Sequence, residues 1–83
     1  MVIKKISNSE LTKLIEKIII DQQDSAYMKG LLAAEIKLAL SQKYDINVNT
    51  QRISRLIKDA IAGVKIVKLQ TSSLPLNIYR IMR

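Results

Sequence analysis

Residues 48–63 read VNTQRISRLIKDAIAG, and the spacing within this stretch decides the fold. Its apolar side chains recur at helical intervals and make one stripe, formed by Ile53, Leu56, Ile57, Ala60 and Ile61. Asn49 is the predicted N-cap, since Val48 before it and Ile53 after it form a hydrophobic staple pair. Gly63 follows the stripe and suits the left-handed residue that closes a helix. The stretch therefore predicts a helix with one buried side.

The opposite side of this helix is polar and positively charged. It carries Gln51, Arg55, Lys58 and Ala62 in one stripe, with Arg52 and Asp59 along one edge and Ser54 along the other. Such a surface fits the major groove of double-stranded DNA, where Arg pairs with guanine and Gln with adenine, while Lys58 suits a phosphate. The alternative is a solvated face on which Arg55 pairs with Asp59 one turn later.

Two further helices are predicted upstream. In ISNSEL, Ser7 and Glu10 have the spacing of a capping box, so the first helix begins at Ser7. The polar segment DQQDS at 21–25 ends that helix, because its side chains compete for backbone hydrogen bonds. A second helix is predicted from about Ala26 to Tyr44, a segment without proline that is dense in good helix formers.

The second helix is apolar on two sides. One side carries Leu32, Ile36, Ala39 and Leu40, and the nearly opposite side carries Leu31, Ala34 and Leu38. A helix of this kind is expected to lie between two neighbours. Both neighbours belong to its own domain, or one of them is a partner subunit.

The pattern changes after Gly63. VKIVKL at 64–69 and LNIYRIM at 76–82 are rich in β-branched residues and flank the polar segment QTSSLP, which predicts a β-hairpin. The predicted fold class is α+β and mostly α, with three helices followed by a hairpin in a single domain of residues 1–83.

The segment VNTQRISRLI resembles the recognition helix of winged helix-turn-helix DNA-binding proteins, in which a buried residue and a polar cap precede a hydrophobic-Ser-Arg core. The matching positions are Val48, Asn49, Ile53, Ser54, Arg55 and Ile57. GVKIVKLQTSSLPLNIYRI at 63–81 looks like the wing of that family. The resemblance implies a small transcriptional regulator that binds double-stranded DNA. One departure is the connector KYDINVN, which is longer than the usual tight turn and lacks glycine.

The resemblance also implies two sets of contacts with DNA. The residues expected to reach base edges are Thr50, Gln51, Arg52, Ser54 and Arg55. The residues expected to contact the backbone are Lys29, Asn49, Lys58, Lys65, Lys68, Ser72 and Ser73. Arg80 and Arg83 are weaker candidates for the backbone set, because the sequence does not assign their strand faces.

Composition agrees with a polyanionic partner. The 83 residues include 14 Lys and Arg against 7 Asp and Glu, a net charge of +7, which favours nucleic acid over an acidic membrane or protein. The alternative is a merely solubilising surface charge. His and Cys are absent and there are two glycines, so the usual general base, thiolate nucleophile and phosphate-cradling loop are missing. No enzymatic activity, cofactor, metal or small-molecule ligand is expected.

Other functions remain open at this point. They are a winged-helix module that binds protein, a non-specific architectural DNA-binding protein and, third, a membrane-surface protein. A homodimer is expected, because two recognition helices read two half-sites. Its candidate interface is Val2, Ile3 and Ile20, with Leu31 and Leu38 in reserve. No apolar run approaches the roughly 18 residues of a membrane span, and a cytoplasmic protein is expected.

Overall fold

Three helices and a three-stranded antiparallel sheet make up the fold in a computed structural model, which describes residues 6–26, 29–70 and 75–82. The elements follow the order α1 (Asn8–Gln22), β1 (Leu31–Leu32), α2 (Ala33–Tyr44), α3 (Thr50–Ala60), β2 (Val64–Gln70) and β3 (Pro75–Ile81). The predicted α+β class and the hairpin are confirmed. None of the helices within the described ranges is both long enough and apolar enough to cross a membrane.

The predicted N-cap side chains of α1 and α3 each bond the backbone, but the return bond from Glu10 that would complete a capping box is not among the bonds of the described residues. The Ser7 Oγ accepts a hydrogen bond from the Glu10 backbone N–H at 3.2 Å. The Asn49 Oδ1 accepts one from the Arg52 N–H at 2.8 Å. Each cap satisfies a backbone donor that has no partner within its helix. The starting points of both helices are thus fixed by local chemistry.

All three helices and the sheet contribute to one aliphatic core. Tyr79 is the largest side chain that is fully buried. The other core residues are Leu11, Ile15, Ile18, Ile19, Leu31, Ile36, Ala39, Leu40, Ile46, Val48, Ile53, Leu56, Ile57, Ile61 and Ile81. The prediction that Ala60 is buried is wrong, because Ala60 is exposed at the end of α3. The backbone of Ile61 is extended, and it is the Ile61 side chain that enters the core.

The start of the second helix is also corrected. The helix begins at Ala33 rather than Ala26, and the preceding leucines form β1, which pairs antiparallel with β3. This pairing buries Leu31 to 2% exposure, a gain that outweighs its helix propensity. Gly30 lets the chain before β1 lie close to β3, since a Cβ at this position would be 2.6 Å from the Ile78 Cγ2. The prediction of three helices followed only by a hairpin therefore missed a strand.

The second apolar side of α2 is not covered within the part of the chain that the structure describes, which contradicts the expectation that both neighbours belong to its own domain. A partner subunit over this side stays a prediction. The core side of α2 is buried through Ile36, Ala39 and Leu40. On the other side Ala34 is exposed and Leu38 is 57% exposed. Leu31, counted there as helical, belongs to β1 and is buried, so Ala34 and Leu38 are what remains of that side.

The connector between α2 and α3 is held in place despite its length. Asp45 adopts the left-handed conformation, with φ 56°, that glycine usually supplies. The Ile46 N–H then bonds back to a carbonyl of α2 at 3.1 Å. From α2, the Lys37 Nζ donates to the Asn47 Oδ1 and to the Val48 carbonyl, each at 3.2 Å. These bonds set the position of α3 relative to α2.

Backbone N–H and C=O groups of the central strand β3 have hydrogen-bond partners on both sides of the strand. Toward β2, the Met82 N–H bonds the carbonyl of Gly63, whose φ of 77° starts the hairpin. Backbone groups alternate sides along a strand, so those of Ile81 point away from β2. There the buried Gln23 amide takes the place of a strand: its Nε2 donates to the Ile81 carbonyl at 3.0 Å and its Oε1 accepts from the Ile81 N–H at 2.8 Å.

Replacement of Gln23 by Ala is expected to lower the free energy of unfolding by about 2 to 4 kcal/mol, because it leaves a buried donor and a buried acceptor of Ile81 without partners. Urea denaturation measures the change. Gln42→Ala, at an exposed position of α2, is the control and should stay within about 0.5 kcal/mol of wild type. Equal effects of the two substitutions would contradict the role assigned to the Gln23 amide.

Candidate nucleic-acid interface

An open groove of about 670 Å³ runs along the solvent side of α3. The N-terminus of α2 forms one wall and β3 forms the other. The lining residues are Leu32, Ala33, Ala34, Thr50, Gln51, Ser54, Arg55, Lys58, Asp59, Leu76, Asn77 and Tyr79. The structure thereby brings together four of the residues expected at base edges, and it adds Lys58 from the backbone set.

The centre of the α3 stripe consists of exposed side chains that are available to a partner. Gln51, Arg55 and Lys58 are all exposed, on the side opposite the buried Ile53. Across the described ranges no ion pair joins Arg55 to Asp59, although the two residues are one turn apart. The structure therefore lacks the Arg55–Asp59 pair, while a solvated face without that pair stays the alternative to a binding surface. Two cations and one amide point into an open groove.

Arg52 lies at the other edge of α3, with its guanidinium turned toward α1. Its Nη2 donates to the Asn8 Oδ1 at 2.7 Å and to the Ile6 carbonyl at 3.1 Å, and its Nε donates to the same Asn8 oxygen at 3.2 Å. The fork of donors thus joins the start of α3 to the start of α1. A base contact by Arg52 stays a prediction, and it would require these three bonds to break.

Ser54 occupies the groove side of α3 next to the sheet. It is half-buried, and its Oγ accepts a hydrogen bond of 3.0 Å from the hydroxyl of Tyr79. Tyr79 itself is 1% exposed and belongs to the core. Ser54 is therefore joined to the core through a buried partner.

The two lysines of β2 lie on different faces of the hairpin. Residues that pair directly across two antiparallel strands share a face. Lys68 pairs with Asn77, which lines the groove, whereas Lys65 pairs with Arg80. Both lysines are exposed. Lys68 is thus on the groove side of the hairpin and Lys65 is on the reverse side.

Lys29 belongs to a small network that lies away from the groove. Its Nζ donates to the Asp24 carbonyl at 3.1 Å. Arg80 completes the network, because its guanidinium donates to the Lys29 carbonyl at 2.8 Å and forms a salt bridge of 3.2 Å with the Asp24 carboxylate. The structure does not bring Lys29 or Arg80 together with the groove residues.

The remaining predicted residues are distributed as follows. Asn49 is exposed but uses its side-chain oxygen as the cap of α3. Ile20 is half-buried against the core and lies in a shallow depression on α1. The other predicted residues are outside the described part of the chain, namely Val2, Ile3, Ser72, Ser73 and Arg83.

Sequence reasoning missed the sheet wall of the groove. Asn77 and Leu76 line it from β3, and Ala33 and Ala34 line it from the first turn of α2. Strand alternation offered a partial signal for Asn77, because it places Asn77 on the same face as Tyr79. The missing information was which face of the hairpin packs toward α3.

Comparison of the chain with protein-family models, with curated protein sequences and with solved structures finds no match.

Replacement of Arg52 by Ala is expected to reduce the free energy of unfolding by about 1 to 2 kcal/mol, since three hydrogen bonds between α3 and α1 are lost at a partly exposed site. Thermal and urea denaturation measure it. Arg55→Ala is the matched control, because Arg55 is exposed on the same helix and its loss should change stability by less than about 0.5 kcal/mol. If the two arginine variants were equally stable, the joining role of Arg52 would be refuted.

Proposed function

We propose that this chain is a winged helix-turn-helix protein that binds double-stranded DNA and regulates transcription, with α3 in the major groove and the β2–β3 hairpin as the wing. The order of the elements supports this proposal, since a basic-faced helix is followed directly by the hairpin. The connector supports it as well, because Asp45 supplies the left-handed residue for which the sequence has no glycine.

The observation that carries the proposal is the cationic stripe of α3, which has no internal partner in the described chain and faces an open groove. Arg55 and Lys58 are exposed there beside Gln51. The 11 residues of α3 span about 16 Å at 1.5 Å per residue, a length that the major groove accommodates. The net charge of +7 adds a general attraction to phosphates.

The contacts divide by position along α3. Thr50 and Gln51 lie in its first turn, and Ser54 and Arg55 follow one turn later, so these side chains are proposed to meet base edges. Lys58, in the last turn, and Lys68, on the groove side of β2, are proposed to contact phosphates. Arg52 is proposed to hold α3 at its docking angle through α1.

A homodimer is part of the proposal. One short recognition helix offers limited contact with DNA, whereas two copies about a two-fold axis read two half-sites. Val2, Ile3 and Ile20 stay the proposed interface. Ile20 is half-buried in the described chain and retains apolar surface for a partner.

Binding to duplex DNA is expected to be steeply salt dependent. Contact with about four to six phosphates per subunit gives a log–log slope of affinity against salt of roughly −4 to −5, and a dimer doubles it. Fluorescence anisotropy from low to moderate salt measures the slope, and light scattering gives the mass of the complex. A flat salt dependence would exclude DNA as the partner, and a monomer mass both free and on a palindromic site would exclude the dimer.

Arg55→Ala is expected to relax base preference, whereas Lys68→Ala weakens binding to all duplexes alike. A bidentate contact between Arg and a base carries about 1 to 3 kcal/mol of discrimination, while a phosphate contact carries none. Affinities for a selected duplex and for its scrambled version measure the difference. Lys43→Ala removes the same charge outside the groove and is the control. Equal losses on both duplexes for Arg55→Ala would instead favour a non-specific architectural protein.

A further inference from the structure

We infer that Tyr79 acts as a positioning residue that commits the Ser54 hydroxyl to donate a hydrogen bond to an acceptor atom of DNA in the groove. The inference rests on the proposed function and adds a specificity-determining pair to it. The pair spans the two elements that form the groove, because Ser54 belongs to α3 and Tyr79 to β3.

Tyr79 is held rigidly. It is 1% exposed, and it belongs to the central strand, where it pairs with Leu31 on one side and with Ile66 on the other. Its hydroxyl reaches the Ser54 Oγ at 3.0 Å. A buried phenol needs a hydrogen-bond partner, and within the described ranges Ser54 is the partner it has.

This bond determines which hydrogen-bonding groups of the Ser54 hydroxyl remain unused. A serine hydroxyl has one hydrogen and two lone pairs. Tyr79 is the donor in this bond, because its buried hydroxyl hydrogen has no other acceptor among the described residues, and it therefore occupies one Ser54 lone pair. A helical serine or threonine commonly donates its hydrogen to the carbonyl four residues earlier, as Thr12 does to Asn8 at 2.6 Å. Among the described residues no such bond joins Ser54 to Thr50. The Ser54 hydrogen is therefore available on the groove side.

The matching chemistry on DNA is a hydrogen-bond acceptor. Two kinds of acceptor satisfy it, namely a base-edge atom such as a purine N7 and a non-bridging phosphate oxygen. A group on DNA that only donates, such as the cytosine amino group, would bond the remaining Ser54 lone pair and leave the Ser54 hydrogen without an acceptor in a contact that excludes water, which costs binding free energy. The pair thus favours acceptors over donors at one position of the site.

The test uses the full chain and a duplex selected by the wild-type protein. Affinities are measured for wild type, Tyr79→Phe, Ser54→Ala and the double variant, with Tyr44→Phe as a control for loss of a phenol outside the groove. Each protein is also scanned against duplexes carrying single 7-deazapurines, which lack N7, or single methylphosphonates, which replace one phosphate oxygen.

Tyr79→Phe and Ser54→Ala are each expected to weaken binding about 3- to 10-fold, the range of one net hydrogen bond, and the double variant should be no weaker than Ser54→Ala. At one position of the duplex, the analogue that weakens binding of the wild-type protein should leave the affinity of Tyr79→Phe and of Ser54→Ala unchanged. If that position holds a 7-deazapurine the acceptor is a base, and if it holds a methylphosphonate the acceptor is a phosphate. Tyr44→Phe should keep the full wild-type sensitivity pattern.

Three results would overturn the inference. The first is a Tyr79→Phe variant that keeps the complete wild-type pattern of analogue sensitivity. The second is a pair of losses that add in the double variant. The third is a uniform weakening on all duplexes with a lowered Tm, which would mean that the Tyr79 hydroxyl only stabilises the fold. Absence of binding by the wild-type chain would overturn the proposed function and this inference with it, so the two failures are distinguishable.

Discussion

Burial of Ile53, Leu56 and Ile57 is the constraint on which the rest of the structure depends. These side chains fix the rotation of α3 about its own axis, because turning the helix would move aliphatic surface into water at about 25 cal/mol per Å². The polar stripe of α3 is thereby aimed at solvent. No interaction of that stripe with the rest of the chain is needed to hold it there, which is why Arg55 and Lys58 are available to a partner.

The sequence predicted the features that local chemistry determines. The caps at Ser7 and Asn49 lie within three residues of the groups they satisfy, and the stripe of α3 repeats within a few turns. The hairpin was predicted from two β-branched runs around a polar segment. Its register was not, because the run at 64–69 breaks strict alternation and does not show which face is buried.

Features that depend on distant partners were not predictable. The base contact that the resemblance implies for Arg52 stays a prediction, whereas its hydrogen bond to Asn8, which lies 44 residues away, had no signal in the sequence. Likewise Ser54 was predicted on the edge of the polar stripe of α3, while the Tyr79 hydroxyl that bonds it is 25 residues later. The strand β1 was missed because two residues carry no periodicity, so its identity comes only from pairing with β3.

Some of the described Lys and Arg residues bond the chain itself and others do not, a difference that the net charge does not show. Lys37, Arg52 and Arg80 donate hydrogen bonds to carbonyls and side chains of the chain itself. Lys37 bonds the connector, Arg52 joins α3 to the residues at the start of α1, and Arg80 bonds the Lys29 carbonyl before β1. Arg55 and Lys58 have no such bonds in the described chain. Charged side chains thus join elements of the chain at some positions and are exposed without such bonds at others.

The hydrogen bonds of Gln23 have a consequence for the chain during synthesis. They join residues 58 positions apart, and β1 likewise finds its pairing partner only in β3. A nascent chain that has emerged as far as α3 already carries the polar stripe, but it has no sheet wall and no partner for Ser54. The groove along α3 therefore forms only once β3 has left the ribosome and closed the sheet.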